Sequence, residues 1–261
     1  MDHRTVGEFW NRNAETWTRL VREGYDLYRD KLNTPAFFEM LPPIDGLKGI
    51  DIGCGEGHNT RELAKRGATM SAIDISEVFI RHARHTETER PLGIQYLQAS
   101  AVELPFADQQ FDFATAFMSL MDLREQDQAL TEAFRVLKPG GFLQFSITHP
   151  CFDTPHRKNL RDADGKTYAI EVGEYFRPDD GTVEHWMFGA IPAETRNVVS
   201  DFQVPRFSRT LSQWLNQVLD SGFRIERCGE PSPSDEVVRE FPYLQDAQVV
   251  AYFLHVLARK P

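Results

Sequence analysis

Apolar and polar positions along the chain fall into two patterns. In the first forty residues Phe9, Trp10, Trp17, Leu20 and Val21 recur near helical spacing, which predicts helix until Pro35, Pro42 and Pro43 interrupt it. From Leu47 onward short apolar runs alternate with helical patterns. Strands are predicted at Gly49–Ile52, Thr69–Ile75, Ile94–Gln98, Phe111–Phe117 and Phe142–Ile147, and helices at Thr60–Arg66, Val78–Arg84 and Gln126–Leu137. Gly67 stops the first of these helices, and Lys138-Pro139-Gly140-Gly141 reads as a break after the last. Such alternation predicts an α/β fold, a parallel sheet with helices on both faces. The regularity ends after His149. Residues 152–208 are rich in Gly, Pro and Asp, with strand-like pieces at Tyr168–Val172, His185–Phe188 and Val198–Phe202, which predicts an inserted antiparallel cap. A helix at Leu211–Leu219, a strand at Phe223–Arg227 and a long final strand at Val249–Ala258 follow.

Open parallel sheets bind ligands beyond the carboxyl ends of their strands. That rule puts Gly53–Gly57, Asp74, Ser100–Val102, Phe117–Asp122 and Thr148–Cys151 on one rim. The rim opens with G-I-D-I-G-C-G-E-G-H-N-T-R at 49–61. Its G-x-G-x-G spacing is not the G-x-G-x-x-G of a dinucleotide loop, and without a Lys it is no P-loop. Asp51, just before the loop, repels a pyrophosphate and attracts an ammonium or sulfonium group. Asp74, at the end of the second strand, stands where a carboxylate accepts hydrogen bonds from ribose hydroxyls. Together they predict a ligand with a ribose and a cationic tail.

The formal net charge is −10, from 29 basic and 39 acidic residues. This argues against nucleic acid and anionic lipid as partners, since both demand a basic footprint. Cys54, Cys151 and Cys228 are far apart and form no C-x-x-C, so neither a disulfide framework nor a metal site is expected. Cys54 has no neighbouring base that would make it a nucleophile. His82 and His85 share a helix face in R-H-A-R-H, which reads as solvated surface. The polar start M-D-H-R-T-V-G is no signal peptide, and no apolar run approaches the roughly 18 residues of a membrane span. A soluble, cytoplasmic protein is expected.

G-I-D-I-G-C-G-E-G at 49–57, A-I-D-I-S at 72–76, L-P-F-A-D-Q-Q-F-D at 104–112 and L-K-P-G-G at 137–141 together resemble the ordered motifs of class I S-adenosylmethionine-dependent methyltransferases. S-A-V-E-L-P-F at 100–106 resembles the small-molecule branch that includes ubiquinone and sterol methylating enzymes. E-F-W-N-R-N-A-E-T-W at 8–17, S-L-M-D at 119–122, T-H-P-C-F at 148–152 and R-T-L-S-Q-W-L at 209–215 resemble a bacterial subgroup, in which a His often stands at the position of Ser208. The resemblance implies a Rossmann-like sheet, mostly parallel with an antiparallel last strand. It also implies a helical lid at 1–44, a cofactor-binding core at 45–150, a substrate cap at 151–208 and completion of the sheet by 209–261.

It further implies S-adenosylmethionine as cofactor, a small-molecule methyl acceptor as partner, and roles for named positions. Asp51, Gly53, Cys54, Gly55, Gly57 and Asn59 would hold the methionine portion. Asp74 would hold the ribose, with Ile75 against adenine. Ser100, Ala101 and Val102 would meet the adenine edge, Ser100 standing where many relatives carry Asp. Phe117 and Met118 would supply backbone contacts near the amino group. Trp10, Trp17, Tyr25 and Tyr28 would form a lid unless they are plain core, and Arg29 would meet the cofactor carboxylate. His149 and Asp122 are the candidate catalytic residues: His149 as a base or a structural histidine, Asp122 as a site residue or a helix cap. The aromatics Tyr168, Tyr175, Phe176, His185, Trp186 and Phe188 suit either a planar substrate or a dimer contact, so monomer and homodimer both stay open. A nicotinamide-dependent oxidoreductase and a non-catalytic sensor of the cofactor are the rival readings.

Overall fold

The computed structural model describes residues 1–177 and 179–261. In chain order the elements are α1 (His3–Arg22), α2 (Thr34–Met40), β1 (Lys48–Ile52), α3 (His58–Lys65), β2 (Thr69–Asp74), α4 (Glu77–Glu89), β3 (Gln95–Gln98), β4 (Phe111–Phe117), α5 (Gln126–Val136) and β5 (Leu137–Thr148). Then come β6 (His156–Arg161), β7 (Thr167–Gly173), β8 (Asp180–Trp186), α6 (Ala193–Arg196), β9 (Phe202–Phe207), α7 (Leu211–Asp220), β10 (Arg224–Gly229), α8 (Asp235–Glu240) and β11 (Phe253–Arg259).

The central sheet has seven strands in the order β10-β11-β5-β4-β1-β2-β3. Neighbours pair in parallel except where β11 lies antiparallel between β10 and β5. The chain runs outward from β1 through β2 to β3, then returns to place β4 on the other side of β1. The strand order therefore reverses between β1 and β4, and a crevice opens at their carboxyl ends. Both faces are covered by apolar side chains. One face gathers Ile50, Ile52, Phe111, Phe145 and Trp214, the other Leu63, Ile80, Phe113 and Phe142. Phe113 stacks on Phe142 at 5.5 Å between ring centroids. A Cβ on Gly49 would lie 2.2 Å from Phe113 Cζ, so the glycine in β1 makes room for that stack.

The expected alternation of strands and helices is present, with differences at the punctuation. Helix α5 ends at Val136, just before Lys138-Pro139-Gly140-Gly141 as expected, but the chain passes directly into β5, which contains these four residues. A register shift between Phe111 and Phe113 absorbs them, while the Gly140 N–H and Gly141 carbonyl pair with Lys260. The last strand starts at Phe253 rather than Val249, because Pro242–Gln248 forms a 3-10 helix that the apolar count missed. The insert holds two separate hairpins, β6–β7 and β8–β9. Val198–Phe202 is not a strand; Val198 is 79% exposed and pairing begins only at Phe202. In β6, H-R-K-N-L-R, Leu160 is the one apolar residue, so no alternation marks it.

The N-terminal segment is tied to the sheet by buried polar groups. Asn33 Oδ1 accepts from Ser146 Oγ at 3.0 Å and from His255 Nε2 at 2.6 Å, which requires a proton on Nε2. Burial holds the His255 imidazole down at about 4. A base whose folded value lies below its unfolded one, about 6.5, costs stability wherever only the unfolded chain takes up the proton. Stability is therefore lost as pH falls from about 6.5 towards 4. His255→Gln cannot titrate. Denaturant unfolding should find it less stable than wild type at about pH 7.5, the gap narrowing by about 2–3 kcal/mol at about pH 4.5. A gap independent of pH would contradict this reading of His255.

Candidate active site

The loop after β1 is shaped by where its N–H groups go. Gly53 and Cys54 both donate to Ile73 O, at 2.8 and 2.9 Å. Gly55 N–H donates to Asp74 Oδ2 at 2.9 Å, and Gly57 N–H to Cys54 O at 3.0 Å. A phosphate-binding loop keeps its N–H groups free for the anion; this one spends them on its own chain. Gly53, at φ +73°, comes so close to the turn after β4 that a Cβ would lie 2.3 Å from Ser119 Cβ. Gly55, at φ +55°, has open space where a Cβ would stand.

Around that opening lies a cavity of about 540 Å³ at the crevice between β1 and β4. Asp51, Gly53, Cys54, Gly55, Asn59, Asp74, Ile75, Ser100, Ala101, Phe117, Met118, Trp10, Tyr28, Arg29 and Asp122 all line it. Gly57, Val102 and His149 do not. Gly57 caps α3 and its missing Cβ leaves room for Tyr96 Oη, while Val102 is buried in the core. His149 is 2% exposed, with both ring nitrogens engaged. Nδ1 accepts the Cys151 N–H at 3.2 Å, and Nε2 therefore donates to Glu230 Oε1 at 2.7 Å. A neutral imidazole tied down in this way, off the cavity wall, has no lone pair for a substrate proton. In the fold His149 is a hydrogen-bonded histidine before Pro150, outside the cavity lining.

Two carboxylates stand side by side at the ends of β1 and β2. Asp51 Oδ1 accepts from Thr115 Oγ1 at 2.8 Å and Oδ2 from Thr60 Oγ1 at 2.6 Å. Desolvation nevertheless raises its pKa. Asp74 Oδ1 accepts the Ser76 N–H at 2.8 Å and Oδ2 the Gly55 N–H. Each of its oxygens keeps a lone pair for a ligand. Burial, helped by the Asp51 charge, pushes Asp74 up to about 6. Nearby, Asn59 Oδ1 is buried with no donor among the described residues. Met118 carries φ +52°, a left-handed backbone costly for a non-glycine residue, at the turn after β4.

Trp10, Trp17, Tyr25 and Tyr28 all reach the cavity, and they are core as well. Trp10, Trp17 and Tyr25 pack on Leu20, Phe188, Phe202 and Val204, and Tyr28 stacks on Tyr252 at 5.1 Å. Helix α1 can lie this close because Gly7 faces Ile75, where a Cβ would meet Ile75 Cγ1 at 2.9 Å. Arg29 donates Nε to Asp30 Oδ1 at 2.7 Å and Nη2 to Val21 O at 3.3 Å. Of the cap aromatics, Trp186 and Phe188 line the cavity, whereas Tyr168 and Phe176 are 64% and 85% exposed. His185 is exposed, and Tyr175 Oη accepts the Leu211 N–H at 2.8 Å. Sequence reasoning missed Asp26, His58, Asp153, Glu184, Arg206, Tyr243 and Tyr252, which also line the cavity. His58 stands inside the glycine-loop stretch; the others lie outside it, and only folding brings them to the rim.

The Gly53 and Gly55 geometries predict different costs. Gly53→Ala meets both a strained φ and Ser119, and should lower unfolding stability by more than about 2 kcal/mol. Gly55→Ala meets strain alone and should cost about 1 kcal/mol. Equal losses in urea titrations would contradict the close approach at Gly53.

Residues 50–145 match a protein family described as "Methyltransferase domain". The chain is similar to the O-methyltransferase cnsE of Penicillium expansum, 36% identical over 170 residues, or 58% of this chain and 61% of that one. It is 34% identical over 157 residues to a ubiquinone biosynthesis O-methyltransferase of Pseudomonas fluorescens, covering 56% of this chain and 63% of that one. The chain thus spans less than two thirds of the length of these curated relatives. Among solved structures, an S-adenosylmethionine dependent methyltransferase from Mesorhizobium loti superposes with a TM-score of 0.71 and 27% identity, over 87% of this chain and 96% of that one. Matched motifs, strand order and crevice agree: residues 50–145 match a methyltransferase domain, on a sheet of the kind found in the S-adenosylmethionine dependent methyltransferase from Mesorhizobium loti.

Proposed function

We propose that this protein transfers a methyl group from S-adenosylmethionine to a small-molecule acceptor. The observation that carries the reading is the acceptor-rich donor pocket: a glycine loop with its N–H groups spent, Asp51 and Asp74 side by side, and an unpartnered Asn59 Oδ1. That chemistry fits a ribose joined to a cationic tail and disfavours a pyrophosphate, which weighs against the nicotinamide reading. When bound, the cofactor supplies a methyl group on a positively charged sulfur, open to in-line displacement. Asp74 offers its two remaining lone pairs to the ribose hydroxyls. Asp51 and Asn59 face the amino-acid portion with Gly53–Gly57, and Arg29 offers its guanidinium to the carboxylate. Ile75, Ser100, Ala101, Phe117 and Met118 surround the base. Helix α1 and the β8–β9 hairpin exclude water, so positioning and enclosure contribute most of the rate.

The relatives named O-methyltransferases support a small-molecule acceptor. In this reading 1–44 serves as lid, 45–150 as donor-binding core, 151–208 as acceptor cap and 209–261 as completion of the sheet. Among the described residues no helix is long and apolar enough to cross a membrane. With the acidic charge, this supports a cytoplasmic protein, monomeric or homodimeric, acting on neither membrane nor nucleic acid.

Asp74 provides the test. Calorimetric titration with S-adenosylhomocysteine should find Asp74→Ala weaker by about 1–3 kcal/mol, the cost of unpaired ribose hydroxyls. Ribose hydroxyls prefer the ionised carboxylate. Wild-type affinity should therefore fall as pH drops below about 6, and Asp74→Asn should lose that dependence. Unchanged affinity in Asp74→Ala would remove the ribose assignment.

A further inference from the structure

Asp122 follows β4 and lies on the cavity wall together with the β8–β9 hairpin. Its N–H bonds Ser119 O at 3.1 Å, but its carboxyl receives no hydrogen bond among the described residues. A half-buried carboxyl group on a cavity wall, with no protein donor of its own, is open to a ligand that donates to it. The nearby wall is aromatic and aliphatic, with Trp17, Trp186, Phe188 and Trp214 among its members. Trp17 meets Trp186 and Phe188 edge to face, at 5.5 and 4.9 Å, so this stretch of the lining is a packed aromatic wall that suits an apolar, planar body.

The charged groups of this wall are already matched. Arg206 is held by Asp153 Oδ2 at 2.8 Å and Glu184 Oε2 at 3.0 Å. Arg209 spends its guanidinium on the carbonyls of Ser208 and Arg124. Arg206 therefore has little to offer a carboxylate, and a charged acceptor would be desolvated without a new partner other than Asp122. Extending the methyl-transfer reading, we infer that the acceptor is a planar, uncharged phenol whose hydroxyl donates to Asp122 and gives its proton to that carboxylate.

The atoms balance. The phenol O–H bond breaks and its proton passes to Asp122, the oxygen pair forms the O–CH3 bond, and the sulfonium C–S bond breaks with its electrons left on a neutral thioether. The groups facing Asp122 are Arg206, Asp153 and Asp74, and desolvation outweighs the Arg206 charge to push its carboxyl up to about 8. A carboxylate of that basicity is matched to a phenol, about two units above it, and far too weak for an alkyl alcohol.

The test uses the full chain loaded with S-adenosylhomocysteine and three probes of one shape, 4-methylphenol, 4-methylbenzoate and 4-methylbenzylamine, titrated by calorimetry. The phenol should bind about tenfold or more tighter than either charged probe. Its affinity should rise severalfold between about pH 7 and about pH 9 as Asp122 ionises. Asp122→Asn should lose that rise while keeping wild-type affinity for S-adenosylhomocysteine. A benzoate or benzylamine that binds as tightly as the phenol overturns the inference, as does a pH dependence that survives in Asp122→Asn. Failure of S-adenosylhomocysteine itself to bind would instead overturn the methyl-transfer reading beneath it.

Discussion

The donor pocket depends on one backbone carbonyl. Ile73 O, near the end of β2, takes the N–H groups of both Gly53 and Cys54. That double acceptance bends the chain out of β1 and holds the loop against its neighbour. The next N–H reaches Asp74, so loop, strand end and carboxylate form one unit. The result is a concave rim with carboxylates at its base and few free donors. Desolvation raises the pKa of both acids, and at Asp74 the Asp51 charge adds to it, so Asp74 reaches about 6. A cation entering the pocket relieves that cost, whereas a pyrophosphate adds to it. The preference for a cationic ligand thus follows from where the hydrogen bonds go, before any side chain touches a ligand.

The N-terminal helix is fastened to this unit from above. Glu56, in the loop and 5% exposed, is bonded by Arg22 of α1 at 2.8 Å and by Arg61 of α3 at 3.0 Å. Asn11 accepts from Ser76 Oγ at 2.8 Å and from the Val78 N–H at 3.3 Å, just after Asp74. Asn13 pairs with the backbone of Gln203 in β9, both donating and accepting. Helix α1 therefore joins the donor loop to the cap hairpin. Opening the cavity from that side means breaking buried polar contacts as well as aromatic packing, so enclosure and access are set by the same bonds.

The cap divides its work between its hairpins. The β8–β9 hairpin turns Glu184, Trp186, Val204 and Arg206 to the cavity. The β6–β7 hairpin is braced elsewhere: Asp246 receives Thr167 Oγ1 at 2.6 Å and Arg161 Nη2 at 3.0 Å from the 3-10 helix at Pro242–Gln248. Its aromatic residue Tyr168 stays in solvent. An aromatic-rich insert is thus not one surface, and of its two hairpins only β8–β9 lines the cavity.

The sequence by itself determined the alternating sheet, the glycine loop and the two carboxylates. These are local features: short apolar runs are strands only in a buried sheet, and the ligand rim lies where those strands end. Phe111–Phe117 was legible to the residue because every apolar position there except the last, Phe117, is buried. Tertiary structure alone decided which residues far apart in the chain share the cavity. His149 and Asp122 look alike in sequence, each just after a strand. In the fold one lies off the cavity, held by Cys151 and Glu230, and the other is left without a donor on the cavity wall. Arg206 stands in a motif-like stretch, but its ion pairs with Asp153 and Glu184 rest on mutual distances set by a hairpin and leave no mark in the sequence. Lys138-Pro139-Gly140-Gly141 ends the helix as its residues dictate, while its place in a strand comes from pairing with Lys260 at the sheet end. Local pattern fixes an element and its rim, while burial and partners across the chain decide what each rim residue can do.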